Sequence, residues 1–278
     1  MKSIKVLLFI GCLFLLGSAF SQEKFLLEYA YSKGKTYKYK EESKFESVQE
    51  VSGQEMKATG STFSLMKMIV EGVSESGDIT FISSLEDLKI TTKMPTMDTT
   101  MVMKDLLDKN IQTIISKAGK MVDQKILDTA ASGKDFMGRS STLFNAYKEF
   151  VVFPNSAIKF GDTWNDERTD TTKGTQMVTK VNTIYTLAGT EEKNGHPCMK
   201  ITYTGKLEIG GKMTQMGMEF FMEGSGEKSG TLWFDQKSGI IIAKDNTSDQ
   251  DLTMALTGQM QMTIPITQTN ISKFTLIE

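Results

Sequence analysis

The chain has a single histidine, His196, in Asn194-Gly195-His196-Pro197, with Cys198 two residues on. A catalytic nucleophile needs a base beside it, and a structural zinc site needs four ligands. One histidine and one nearby cysteine supply neither. Asn-Gly ahead of Pro is a turn signature, which puts His196 at a hairpin tip. Cys198 then packs as a small hydrophobe in the strand that starts there. The carboxylate pairs Glu86-Asp87 and Asp166-Glu167 read as solvated faces. Glu208-Ile209-Gly210-Gly211-Lys212 reads as a Gly-Gly turn between strands, with no helix following to cradle a phosphate. The chain is therefore expected to be non-enzymatic, with no catalytic residue, no metal ligand and no cofactor assigned.

Methionine is the one excess, 19 residues in all. Clusters stand at Met94, Met97, Met101 and Met103, at Met213, Met216, Met218 and Met222, and at Met254, Met260 and Met262. Three roles fit such clusters. They replace leucine on buried strand faces, they line a cavity for variable apolar ligands, or their soft thioethers bind Cu(I). The strongest pattern overlaps the last cluster. Leu252, Met254, Leu256, Gly258, Met260, Met262, Ile264 and Ile266 all fall on even positions, and the residues between are mostly polar. Period two places them on one face of a strand bent at Gly258, or of two strands meeting there. Met254, Met260, Met262 and Ile264, with Phe150 and Trp233, are the candidate ligand-binding residues.

These side chains must be positioned by sheet. Phe25, Leu27, Tyr29 and Tyr31 alternate with other residues, as do Met199, Ile201 and Tyr203. Threonine is abundant and only 4 prolines occur, a composition that favours antiparallel strands. Three segments recur in the same order about 120 residues apart. Gly34-Lys35-Thr36-Tyr37 matches Gly161-Asp162-Thr163-Trp164, and Val70–Gly77 matches Leu187–Gly195. Ile114–Val122 matches Trp233–Ile241, and both read as hairpins with glycine in the turn. Between the halves, Leu143, Ala146, Tyr147, Phe150 and Val151 have helical spacing, and Phe153-Pro154 ends the helix. The expected organisation is a signal peptide over 1–21 and a β-rich half over 22–139. A helix and linker over 140–160 and a second β-rich half over 161–278 complete it. Lys93–Lys104 and Asp128–Arg139 are the least ordered stretches by pattern.

The start of the chain carries Lys2 and Lys5, the apolar run Val6–Leu16, and Ala19-Phe20-Ser21 as a cleavage site. The run is shorter than the about 20 residues a membrane helix needs, so export to the periplasm or the exterior is expected. Phe9-Ile10-Gly11-Cys12 only superficially resembles a lipoprotein box, because the apolar run continues past Cys12. The formal net charge is −2, and no basic run occurs, so nothing points to nucleic acid or an anionic membrane as partner. Without residues 1–21, Cys198 is the sole cysteine and no internal disulfide can form.

The linker Phe153-Pro154 … Gly161-Asp162-Thr163-Trp164, between two β halves behind a signal peptide, resembles an uncharacterised family of exported bacterial proteins of unknown function. Thr231-Leu232-Trp233-Phe234-Asp235 … Gly239-Ile240 more loosely resembles the outer-membrane lipoprotein carrier superfamily. That second likeness implies a curved, half-barrel-like antiparallel sheet closed by helices around an apolar cavity for acyl chains, and it transfers no site residue. The expected fold is mainly β: curved antiparallel sheets in two related halves with one or few short helices. The expected function is binding of a lipid or other apolar or acyl-bearing ligand in the cell envelope. The alternatives are a structural or protein-interaction module with a solid β core and a Met-rich copper-binding protein.

Overall fold

The computed structural model describes residues 23–51, 53–95, 97–128, 149–171, 176–215, 218–257 and 261–278. Twelve strands form one antiparallel sheet. In the first half they are β1 (Thr36–Val51), β2 (Gln54–Val73), β3 (Ile79–Met94), β4 (Met97–Val102), β5 (Ile111–Ile115) and β6 (Met121–Ile126). In the second they are β7 (Thr163–Thr171), β8 (Val178–Lys193), β9 (His196–Gln215), β10 (Met218–Asp235), β11 (Ile240–Thr257) and β12 (Met262–Leu276). The order across the sheet is β6-β5-β3-β2-β1-β12-β11-β10-β9-β8-β7, with β4 pairing the far end of β3. Each half is thus a meander, and the first and last strands pair at the centre. The sheet stays open and does not close into a barrel.

The alternating sequence patterns are realised as long strands, up to 20 residues in β2 and β9, which spans about 65 Å at 3.3 Å per residue. Three expectations are corrected. Gly210-Gly211 is not a turn but lies inside β9; Gly211 has φ +143, and a Cβ there would meet the Gln176 carbonyl. Lys93–Lys104 holds β4. Of the helix expected at Leu143–Val151, residues up to 148 lie outside the described residues. Its end, Phe150 and Val151, is not helical, and neither is Phe153. Glu149, the first described residue there, is in 3-10 conformation; elsewhere among the described residues the helical element is a single 3-10 turn, Lys104–Leu106.

One end of the sheet is covered. Two stretches, 23–32 and 149–158, the second irregular from 150 onward, join by a Phe25–Ile158 bridge and lie against it. The alternation of Phe25, Leu27, Tyr29 and Tyr31 is expressed as burial of all four in the core. Phe150 and Phe153 enter the same aromatic cluster, with ring centroids 5.0 and 4.9 Å from Tyr29. Burying each such ring contributes about 1.5–3 kcal/mol. The tyrosine hydroxyls of these stretches are paired: the Tyr29 hydroxyl accepts the Val151 N–H at 2.9 Å and donates to the Val151 carbonyl at 3.2 Å. Tyr31 and Tyr39 hydroxyls are 2.8 Å apart, Tyr39 donates to the Ile241 carbonyl, and Ile241 N–H donates back to Tyr31. That ring ties the N-terminal stretch to β1 and β11. The strap 149–158 also touches the β5–β6 turn, where Gly119 has φ +87 and a Cβ would meet the Val151 carbonyl and the Tyr29 ring. Only glycine fits there.

Two irregularities of the meanders fall at matching places, while a third, at Glu86 on β3, has no counterpart on β9. An extra residue bulges from β2 at Glu71 and from β8 at Ala188. Another bulges from β6 at Val122 and from β11 at Ile242. Gly34 and Gly161 both have positive φ immediately ahead of β1 and β7.

Candidate ligand-binding face

Pairing register places residues on faces. On β10 the even positions Leu232, Gly230, Lys228, Gly226, Gly224, Met222 and Phe220 share one face, and Leu232 is fully buried in the aromatic core. This core face changes character along its length in three zones.

Beyond the core comes a charged belt. Lys244 on β11 pairs with Glu149 of the strap at 3.0 Å. Arg168 on β7 binds Asp166 at 2.7 Å and donates to the Phe150 carbonyl at 2.7 Å. Glu41 on β1 is pushed up to about 7 by burial and by the charge of Glu149, against the pull of Lys244 and a Ser64 hydrogen bond. Lys228 on β10 lies across Gly205 of β9, where an added Cβ would sit 2.9 Å from its Cε and 3.1 Å from Thr183 Oγ1. Its ammonium is pulled down to about 8, chiefly by burial and then by Lys244 and Arg168. Two of the three belt cations have carboxylate partners; Lys228 makes no ion pair among the described residues, and its nearest aromatic ring, Tyr203, is centred 5.8 Å away.

Past the belt lies an apolar strip. The even-numbered stripe of the sequence is two strands meeting near Gly258. The β11–β12 hairpin pairs Leu252 with Ile266, Met254 with Ile264 and Leu256 with Met262. Like positions therefore face the same way on both strands. β10 continues the strip, with Met222 opposite Met254 and Phe220 opposite Leu256. Leu252 and Ile266 are buried without belonging to the aromatic core; Met222, Met254, Leu256, Met262 and Ile264 are half-buried. The outer face over the same strands is mixed: Glu219, Glu223, Thr263 and Thr267 are exposed there, and so is Phe221 beneath the Lys212 ammonium. Gly224 and Gly226 sit between belt and strip. A Cβ on Gly226 would meet the Asp249 carbonyl and the Gln250 side chain, so β10 and β11 approach closely there.

Of the candidate ligand residues, the structure brings Met254, Met262 and Ile264 together at the strip. Met260 lies outside the described residues. Phe150 is in the aromatic core, and Trp233 is on β10 opposite the β11 bulge, with the Lys193 ammonium 3.8 Å from its ring centre. Both stand at the other end of the sheet, about 35 Å from the strip along β10. The methionine clusters share one end: Met94 pairs with Met97 beside the β3–β4 turn, and Met213 and Met218 flank the β9–β10 turn. His196 is at the expected hairpin tip, 3.3 Å from Asp235, and Cys198 is buried and free. The belt was missed as a site. Its signal is the period-two run Gly224-x-Gly226-x-Lys228-x-Gly230, one lysine among glycines on an otherwise apolar face. Two hollows, about 480 and 510 Å³, lie mainly over the outer face among polar residues such as Lys206, Glu227 and Asp249. Neither is lined by strip residues.

The fold and this face define an open antiparallel β protein with a core at one end of its sheet and an amphipathic layer at the other. Residues 107–241 match the sequence model of a family of unknown function, DUF6263. The span includes the Phe153-Pro154 … Trp164 linker, as the resemblance to an uncharacterised family implies, the belt lysine Lys228 and the β10 part of the strip; it ends before the part on β11 and β12. No curated protein matches the sequence. Among solved structures, lipovitellin in a study of its lipid–protein interactions is similar with a TM-score of 0.45 and 11% identity. That match covers 89% of this chain and 25% of lipovitellin, so this chain spans about a quarter of that protein. The Pseudomonas aeruginosa proteins OccK8 (OprE) and OccK11 (OpdR) follow, with TM-scores of 0.22 and 0.20 and 7% identity each. They cover 90% and 92% of this chain and 100% of their own.

Proposed function

We propose that this is an exported, non-enzymatic protein of the cell envelope that binds an apolar or acyl-bearing ligand on the strip of its core face. The observation that carries the reading is the cross-strand pairing of Leu252, Met254 and Leu256 with Ile266, Ile264 and Met262, beyond the aromatic core. An apolar face on a single layer gains free energy by being covered, at roughly 25 cal/mol per Å² removed from water. Flexible methionine side chains adapt to chains of different shape. The test is binding of a neutral apolar fluorophore to wild type and to Ile264→Asp. The variant is expected to fold, because Ile264 is half-buried and a carboxylate there keeps part of its hydration, and to lose most of the fluorescence gain. Wild type that binds no fluorophore overturns the reading in favour of an interaction module. Tight Cu(I) binding that is lost on Met254→Leu and Met262→Leu replaces it with the copper reading.

A further inference from the structure

We infer that the ligand of this face is a singly charged, single-chain amphiphile, a long-chain carboxylate, whose anionic head pairs with Lys228 while its chain runs over Gly226 and Gly224 to the Met222–Met254 end of the strip. This rests on the apolar-ligand reading above and adds head group, orientation and stoichiometry. Three features of this face converge. Among the described residues Lys228 is the belt cation with no carboxylate in ion-pair contact: Lys244 is bound to Glu149 and Arg168 to Asp166. One unmatched positive charge in a half-buried setting calls for one negative charge, and a charge-assisted hydrogen bond to a carboxylate is the strong form of that pairing. The Lys228 side chain is also laid across Gly205, on the side of Thr183. The route onward is floored from β11: Gln250 lies beside Gly226 and Leu252 beside Gly224, the next two positions on that face of β10. Six residues of β10 separate Lys228 from Met222, about 20 Å at 3.3 Å per residue. One acyl chain contributes about 15 Å to the roughly 30 Å core of a bilayer when disordered, and more when extended, so a single chain of ordinary length fits the path.

The experiment uses delipidated full-length protein with a neutral apolar fluorophore displaced by palmitate or by methyl palmitate, both kept below the concentration at which they aggregate. At pH 7 palmitate should displace the dye at least about tenfold more tightly than its uncharged ester. Lys228→Met keeps the length of the side chain without its charge, and should bring acid and ester to equal affinity; Lys228→Arg should restore the preference. If acid and ester bind wild type equally, the head-group assignment is overturned while the apolar strip stands. If neither the dye nor palmitate binds, both fall. If the protein captures phosphatidylglycerol vesicles yet ignores monomeric palmitate, the occupant is a membrane surface and the single-chain assignment is overturned. Circular dichroism on each variant separates lost binding from lost folding, and equal affinity in a well-folded Lys228→Met is the supporting result.

Discussion

Lys228 should cost the unliganded protein stability, and the size of the cost follows from its surroundings. Burial, then the positive charges of Lys244 and Arg168, bring its ammonium from its ordinary 10.5 to about 8, with Asp166 and Glu149 pulling the other way. The folded pKa is depressed, so the stability linked to this group is present above the unfolded pKa and lost as pH falls to the folded one. Above pH 10.5 the amine is neutral in both states and costs nothing by this route. Between 10.5 and 8 the unfolded chain takes up a proton that the folded chain refuses, and below 8 the penalty is constant. At about 1.4 kcal/mol per pK unit the full cost is about 3 kcal/mol, and partial exposure of the side chain brings this to roughly 2–3 kcal/mol. Lys228→Met removes the charge at nearly conserved length. Urea melts of delipidated protein at pH 6.5 should show the variant more stable by about 2–3 kcal/mol, with an unchanged m-value. The difference should shrink steadily between pH 8 and pH 10.5. A variant no more stable than wild type at pH 6.5, or one whose advantage does not change with pH, would refute the reasoning, because the ammonium would then be well solvated or already paired.

Glu41 makes the mirror-image prediction: its carboxyl is raised to about 7 from 4.5, so it favours the fold below pH 4.5 and loses that contribution as pH rises to 7. Glu41→Gln should therefore stabilise by about 2–3 kcal/mol at pH 8 and by nearly nothing at pH 4, read by thermal melts in matched buffers. Tyr29→Phe leaves the Val151 N–H and carbonyl without their buried partner; a loss of about 2–4 kcal/mol in a urea titration is expected, and a loss under 0.5 would mean water replaces the hydroxyl. Gly119→Ala forces a Cβ against the Val151 carbonyl and the Tyr29 ring at positive φ, so it should destabilise by more than about 1 kcal/mol and detach the strap, seen as faster proteolysis between residues 149 and 158.

Much of this architecture is legible in the residues because β chemistry is local. Alternation, the glycine turns at Gly34, Gly119, Gly195 and Gly239, and the low proline content all act within a few residues, and each reappears in a strand or hairpin. The stripe from Leu252 to Ile266 was readable as one face because period two survives passage through a hairpin when equal-parity residues pair, as Leu252 and Ile266 do. What was not legible is non-local. The helical spacing ending in Phe150 and Val151 is overridden there by contacts with Tyr29, Tyr31, Phe81 and the Arg168 guanidinium, partners up to 122 residues away. Trp233 was grouped with Met254 by residue type alone; the strands run past each other, so similar apolar residues end up at opposite ends. The belt escaped notice because Glu41, Glu149, Asp166, Arg168, Lys228 and Lys244 come from five separate segments, and a lone lysine between glycines looks like a solvated face until register places it beside the core.

The central seam explains how one sheet serves both ends. β1 and β12, from opposite ends of the described chain, pair over eleven positions from Tyr39–Leu276 to Gln49–Ile266, and Tyr39 stacks on Phe274 at 4.4 Å. Pairing them makes the two meanders one surface instead of two edges, which removes a pair of exposed strand edges that would otherwise invite aggregation. It also fixes register across the whole molecule, because a one-residue slip at the seam would turn every core side chain of one half outward. With register held there and by the ring of Tyr31, Tyr39 and Ile241, the far ends of the strands need no second layer to stay aligned. They are left free to present an apolar face. A chain selected for stability alone would fill the belt with apolar residues, since buried ion pairs seldom repay their desolvation. Lys228 is kept charged and half-buried at a cost in stability, a cost that the proposed pairing with a ligand head group offsets.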